Sequence, residues 1–143
     1  MAFTDFLKSM QDDAEKLFGR IKDRDTFRRV VFSAYLIARA DGSIDSEEKS
    51  ALAKLIKRDL PQFTLDDIIA ALAKADEKLE FDETIGTMEL FDDISGAKGE
   101  SRNLIMRTAV FIGASDGDFD ADEKAVARKL ATRMGLRPAD YQL

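Results

Sequence analysis

The sequence predicts an all-α fold, on three observations. Apolar residues recur at steps of three and four almost throughout, no segment alternates like a strand, and one helix–turn–helix pattern occurs twice at a constant offset of 75 residues. The expected architecture is a single multihelical domain of about seven to eight helices over 1–143, an internal duplication in which two helical hairpins pack around two central helices. The length suits one domain that buries roughly 68% of its unfolded surface. An apolar content of 45% separates the chain from disordered sequences.

The first helix is expected over 3–21, after a cap at Thr4 or a residue before it. There Phe3, Phe6, Leu7, Met10, Ala14, Leu17, Phe18 and Ile21 make one apolar stripe. Its other face mixes Asp5, Lys8, Asp12, Asp13, Glu15 and Lys16, unlike the basic face of a membrane-surface helix. Repeat one occupies about 25–59. A helix from about Asp25 to Ala40 becomes apolar nearly all round between Val30 and Ile37, which places it at the centre of a bundle. A one-sided helix from about Asp45 to Asp59 flanks it. Two linking helices fill about 64–95, one after Thr64 and one from about Asp82 to Ile94, before a loop at Gly96–Gly99. Repeat two spans about 100–134, with a second central helix from Glu100 to Ser115 and a flanking one from Asp120 to Met134. Gly135 ends that helix, and Pro138 opens a short C-terminal turn over 138–143.

Absent residue types narrow the chemistry. With no Cys there is no thiolate nucleophile, Fe–S cluster or Cys-ligated zinc, and with no His there is no imidazole base or ligand. The N-terminus lacks the basic start and apolar stretch of a signal peptide, and the longest apolar run, Val30–Ala38, is far below the ~18 residues of a membrane span. These features predict a soluble cytoplasmic protein without direct membrane insertion. A net charge of −6 argues against nucleic acid as a partner. No Gly-x-Gly-x-x-Gly or Gly-x-x-x-x-Gly-Lys signature occurs, so no organic cofactor is expected.

Ala34–Lys49 aligns with Ala109–Lys124, and each copy reads Asp-Gly-x-φ-Asp-x-x-Glu with Ile44 or Phe119 at φ. Two readings of this pattern stand side by side. In the first it is a tight helical joint. Gly42 and Gly117 supply a left-handed residue just past a helix C-terminus, and Asp45 with Glu48, or Asp120 with Glu123, closes a capping box on the next helix. In the second it is half of a calcium loop. With glycine at loop position 6, Asp41, Ser43, Asp45 and Glu48 fall at positions 5, 7, 9 and 12, as do Asp116, Asp118, Asp120 and Glu123. Positions 1 and 3 are Ile37 and Arg39, or Ile112 and Ala114, so neither copy is an EF-hand, and two or three carboxylates predict affinity of about millimolar. Calcium is the favoured cation, with magnesium or manganese as alternatives.

Charge is distributed unevenly. Between Asp76 and Asp93 eight acids, Asp82, Glu83 and Glu89 among them, face Lys78 alone, a balance of −7. Lys124 to Arg137 carries five bases and no acid. Helix dipoles explain part of this separation; a bound cation or a basic partner surface would relieve the remaining repulsion.

The twin Asp-Gly-x-φ-Asp-x-x-Glu-Lys hairpins, the central Phe81-Asp82-x-x-Ile85-Gly86-x-x-Glu89 and the closing Gly135-Leu136-x-Pro138-Ala139-x-Tyr141 together resemble the TerB family of tellurite-resistance proteins, over essentially the whole chain. The resemblance implies a small, acidic, all-helical, non-enzymatic protein of a tellurite and chemical-stress system that also confers phage and colicin resistance. It implies a cytoplasmic adaptor, peripheral at the inner membrane, that works with a TerC-like integral membrane protein and other proteins of that system. It further implies a divalent metal held by Asp41, Asp45 and Glu48, by Asp116, Asp120 and Glu123, and additionally by Asp82 and Glu89. Reducing tellurite needs electrons from thiols, flavin or a redox metal, and the chain has no thiol, so resistance is expected to be indirect. The competing reading is a metal-dependent hydrolase in which Asp116, Asp118, Asp120 and Glu123 hold the ions that activate water.

Overall fold

Burial of two nearly all-apolar helices organises the structure. The computed structural model describes residues 2–143 apart from Asp116 and Asp118. Its elements are α1 (Ala2–Phe18), α2 (Arg24–Ala38), α3 (Ser46–Asp59), α4 (Leu65–Phe81), α5 (Glu83–Ser95), α6 (Ser101–Gly113), α7 (Ala121–Arg133) and a terminal 3₁₀ turn (Pro138–Tyr141). The predicted all-α class holds: there are seven α-helices, and no strand occurs among the described residues. None of the described helices is long and apolar enough to cross a membrane.

The central pair is α2 against α6. Val30, Val31, Ala34, Tyr35 and Ile37 of α2 are buried, as are Ile105, Met106, Ala109, Val110 and Ile112 of α6. Ser33 of α2 and Thr108 of α6, 75 residues apart, are both fully buried. The Ser33 hydroxyl donates to the Arg29 carbonyl at 2.7 Å and the Thr108 hydroxyl to that of Leu104 at 2.7 Å, so neither is left unsatisfied. The helices approach closely at Gly113, where a Cβ would sit 2.9 Å from the Ile37 Cγ2 atom. α4 and α5 fold back on one another through Gly86, where a Cβ would lie 2.3 Å from the Lys78 carbonyl oxygen. No side chain fits there. α1 packs on α6 and α3, with Phe18 edge-on to Phe111 at 5.3 Å and Phe6 edge-on to Tyr141 at 6.1 Å.

Several boundaries differ from those expected. α1 begins at Ala2 and stops at Phe18 instead of spanning 3–21, so Thr4 lies inside the helix and does not cap it. Ile21 is buried beyond the helix end, because a turn with Ile21 N donating to the Phe18 carbonyl folds it back onto the core. α2 is capped by Asp23, whose carboxylate accepts from Thr26 N at 2.8 Å, so the helix starts at Arg24 and not at Asp25. Both central helices end two residues early, at Ala38 and Gly113. Gly42 and Gly117 therefore do not sit immediately past a helix end. They take positive φ, 113° and 83°, in the middle of the connecting loops. The glycine that fills the expected place is Gly135, with φ 75° directly after the α7 cap Met134; Gly135 N donates to Thr132 O and Leu136 N to Ala131 O.

Candidate functional site

The two Asp-Gly corners share one local geometry. Asp45 and Asp120 hold extended backbone (φ −86° and −77°) ahead of α3 and α7. One Asp45 oxygen accepts from Glu48 N at 2.8 Å while one Glu48 oxygen accepts from Asp45 N at 3.0 Å. Asp120 and Glu123 repeat this at 2.8 and 3.0 Å. Helix starts leave backbone N–H groups unpaired, and these four carboxylates supply the acceptors. The first of the two readings, the capping box, is thus realised in both copies. Each bond engages only one oxygen of its carboxylate.

The donor set needed for a hard cation is not assembled at the first corner. Asp41 turns to Ser43 N at 3.4 Å, and among the described residues no three carboxylates converge in a metal-binding group. Calcium wants six to eight oxygens, and the paired carboxylates of Asp45 and Glu48 are a poor fit for it. At the second corner Asp116 and Asp118 lie outside the described residues, which leaves Asp120 and Glu123. The same observation gives the hydrolase reading no support.

Much of the acidic run between Asp76 and Asp93 is paired with the chain's own bases. Lys49 Nζ bonds Asp76 at 2.8 Å, and Arg28 grips Asp93 with Nε and Nη2 at 2.8 Å each. Arg133 reaches Asp92 at 2.6 Å, Lys78 reaches Glu89 at 3.0 Å, and Arg39 stands 3.4 Å from Glu83. Asp82 caps α5 by accepting from Ile85 N at 2.8 Å. Glu77 and Glu80 are left without a basic partner among the described residues. Four of the five bases in the +5 stretch also have partners within the chain. Lys129 and Arg133 lie over the Phe91 ring at 5.7 and 5.6 Å, Lys124 lies over Phe3 at 5.2 Å, and Arg137 pairs with Asp140 at 3.0 Å.

A buried polar contact joins the first hairpin to the linking helices. Tyr35, fully buried in α2, donates its hydroxyl to Asp76 at 2.6 Å, and Asp76 also accepts from Lys49. Burial pushes the Asp76 carboxyl upward, but the Lys49 and Tyr35 hydrogen bonds outweigh it and hold the group below the ordinary aspartate value. Burial first, then the Asp76 bond, pushes the Tyr35 phenol well above its usual range. Sequence reasoning missed this contact. The available signal was a tyrosine in an otherwise aliphatic central helix, since a buried hydroxyl requires a partner.

A groove of about 880 Å³ runs between α1 and the ends of α3 and α6. Arg58 on its wall is tied to Asp59 at 2.8 Å and Ser115 at 2.7 Å, and the Gln62 amide donates to the carbonyls of Phe18 and Ile21. None of Asp41, Asp45, Glu48, Asp120 or Glu123 lines it.

A family model described as Tellurite resistance protein TerB matches residues 28–143, which takes in both corners, the central pair and the linking helices and leaves out α1. No curated protein and no solved structure is significantly similar to the chain.

Proposed function

The chain belongs to the TerB family of tellurite-resistance proteins, and on that premise we propose that it is a non-enzymatic adaptor of a resistance system, recruited to the cytoplasmic face of the inner membrane by a TerC-like integral membrane protein. What carries this reading is how the polar groups are employed. The corner carboxylates cap helices, and the acids of the linking helices are paired mostly with the chain's own bases. Such groups fix the shape of a surface; they are not poised to transform a molecule. The lack of thiol and imidazole fits the same picture, since tellurite chemistry needs an electron source that this chain does not contain. A divalent cation would be held only weakly, with carboxylate oxygens of the corner aspartates Asp45 and Asp120 among its ligands.

The test is membrane recruitment. With the TerC-like partner co-expressed, the protein should sediment with membranes, and without that partner it should stay in the supernatant. Purified protein should not speed tellurite reduction above the rate of the reductant alone. Conversion of tellurite by contaminant-free protein, or sedimentation indifferent to the partner, overturns the reading.

A further inference from the structure

Among the described residues, every large apolar side chain that is exposed lies on α4 or α5: Leu65, Ile69, Phe81, Ile85 and Met88. Phe81 is the extreme, 88% exposed, with Ile85 at 51% and Met88 at 58%. Phe81 ends α4, and Ile85 and Met88 follow on the first turns of α5, one helical step apart. Soluble domains scatter single apolar residues over their surfaces, but a contiguous group marks a contact site. Here the group borders a groove of about 330 Å³ between α4 and α5, lined by Lys74, Glu77, Lys78, Phe81, Ile85 and Glu89. Gly86 lets α5 sit directly on the α4 backbone beside this groove, and Phe81 stands exposed at its edge.

Charge identifies the occupant. Between residues 74 and 89 two lysines stand against six acids, and Lys49 and Arg39 from outside the segment pair with Asp76 and Glu83, which leaves the face a balance of −2. Glu77, Glu80 and Asp82, the acids of the run without a basic partner among the described residues, lie close to Phe81 in the chain, two before it on α4 and one directly after. A second copy of this face would bring like charge against like charge, and an anionic lipid surface would be repelled. We propose that the α4–α5 face docks a basic amphipathic helix from a partner protein, its apolar side on Phe81, Ile85 and Met88 and its lysines or arginines toward Glu77, Glu80 and Asp82. The proposal deepens the adaptor reading by naming a surface and the chemistry of its partner, and it rests on that reading.

The probe is a synthetic amphipathic helix of leucine and lysine, about five turns long, titrated into ¹⁵N-labelled protein beside a leucine–glutamate helix of the same pattern. The lysine helix should bind with amide shifts concentrated over residues 74–89, and the glutamate helix should not. Phe81→Ser/Met88→Ser, at surface positions whose folding is checked by circular dichroism, should weaken binding by about tenfold or more. Shifts centred on the Asp-Gly corners, equal binding of both helices, concentration-dependent dimerisation abolished by the same double variant, or adsorption of the protein to anionic vesicles each overturn the assignment. Recruitment to membranes separates the two ideas. If wild type and the double variant are recruited equally by the TerC-like partner, the face is wrong and the adaptor stands; if neither is recruited, the adaptor reading fails whatever the peptide does.

Discussion

The two Asp-Gly corners share a sequence and a capping geometry, yet they have different surroundings. At the first, Lys49 turns inward to Asp76, which also holds the Tyr35 hydroxyl, so the corner is tied to α4 by charge-assisted hydrogen bonds. At the second, Val110 stands where the first has Tyr35, and no such contact is available. Lys124 lies instead over the Phe3 ring at 5.2 Å, and Phe119 stacks on Phe3 at 5.0 Å, so this corner is covered by α1 through aromatic contact. The residue pair Ile44/Phe119 is decisive, because only the ring offers α1 a surface to stack on. A motif of this kind fixes the turn between two helices, and its neighbours decide what the turn is attached to.

The comparison can be broken most sharply at Asp76. Asp76→Ala strips the partner from a fully buried hydroxyl and from Lys49, and should cost about 1–3 kcal/mol by denaturant unfolding. Combining it with Tyr35→Phe should cost less than the sum of the two single changes, since the pair shares one contact. Additive costs would mean that the network does not couple the corner to α4.

Next in size are the caps. Asp45→Ala and Asp120→Ala should each cost about 1 kcal/mol and should match one another, while the Asn variants should be nearly neutral, because the amide oxygen still accepts from the backbone. An Asn variant as costly as Ala would point to a charge requirement beyond capping.

The smallest effect is on pH dependence. Asp23, Asp76 and Asp93 all titrate below the ordinary aspartate value in the folded protein, so their contribution is present above the unfolded value near 3.8 and is lost as pH falls through the folded values. Stability should therefore decline in the acid range below about pH 4, and Asp76→Asn should flatten that decline. The Tyr35 phenol is raised, so its contribution is full below about pH 10 and is lost as pH climbs past that value. Tyr35→Phe should remove this alkaline loss.

Much of the fold was legible because local physics governs it. Thr64 does cap α4 and Asp82 caps α5, and the apolar girdles at Val30–Ile37 and Ala109–Ile112 did mark the central pair. Helix ends were misplaced where a loop residue carries the turn, as with Gly42 and Gly117, since a positive φ is compatible with several loop positions. The pairing of the acidic run was less legible. Asp93 lies 65 residues from Arg28, and Asp92 lies 41 from Arg133; pairings at such separations leave no trace in a local charge count.

Composition and periodicity by themselves settled the helical class, the family resemblance, the capped joints and the absence of thiol and imidazole chemistry, because each depends on neighbours a turn apart or on residue types alone. Only the folded arrangement decided that Asp76 meets Tyr35 and Lys49, that Gly86 seats α5 on the α4 backbone, and that Phe81 is left in water. Those outcomes depend on which helix faces lie opposite one another. Such distances are set by packing across the whole chain, which a local pattern does not encode.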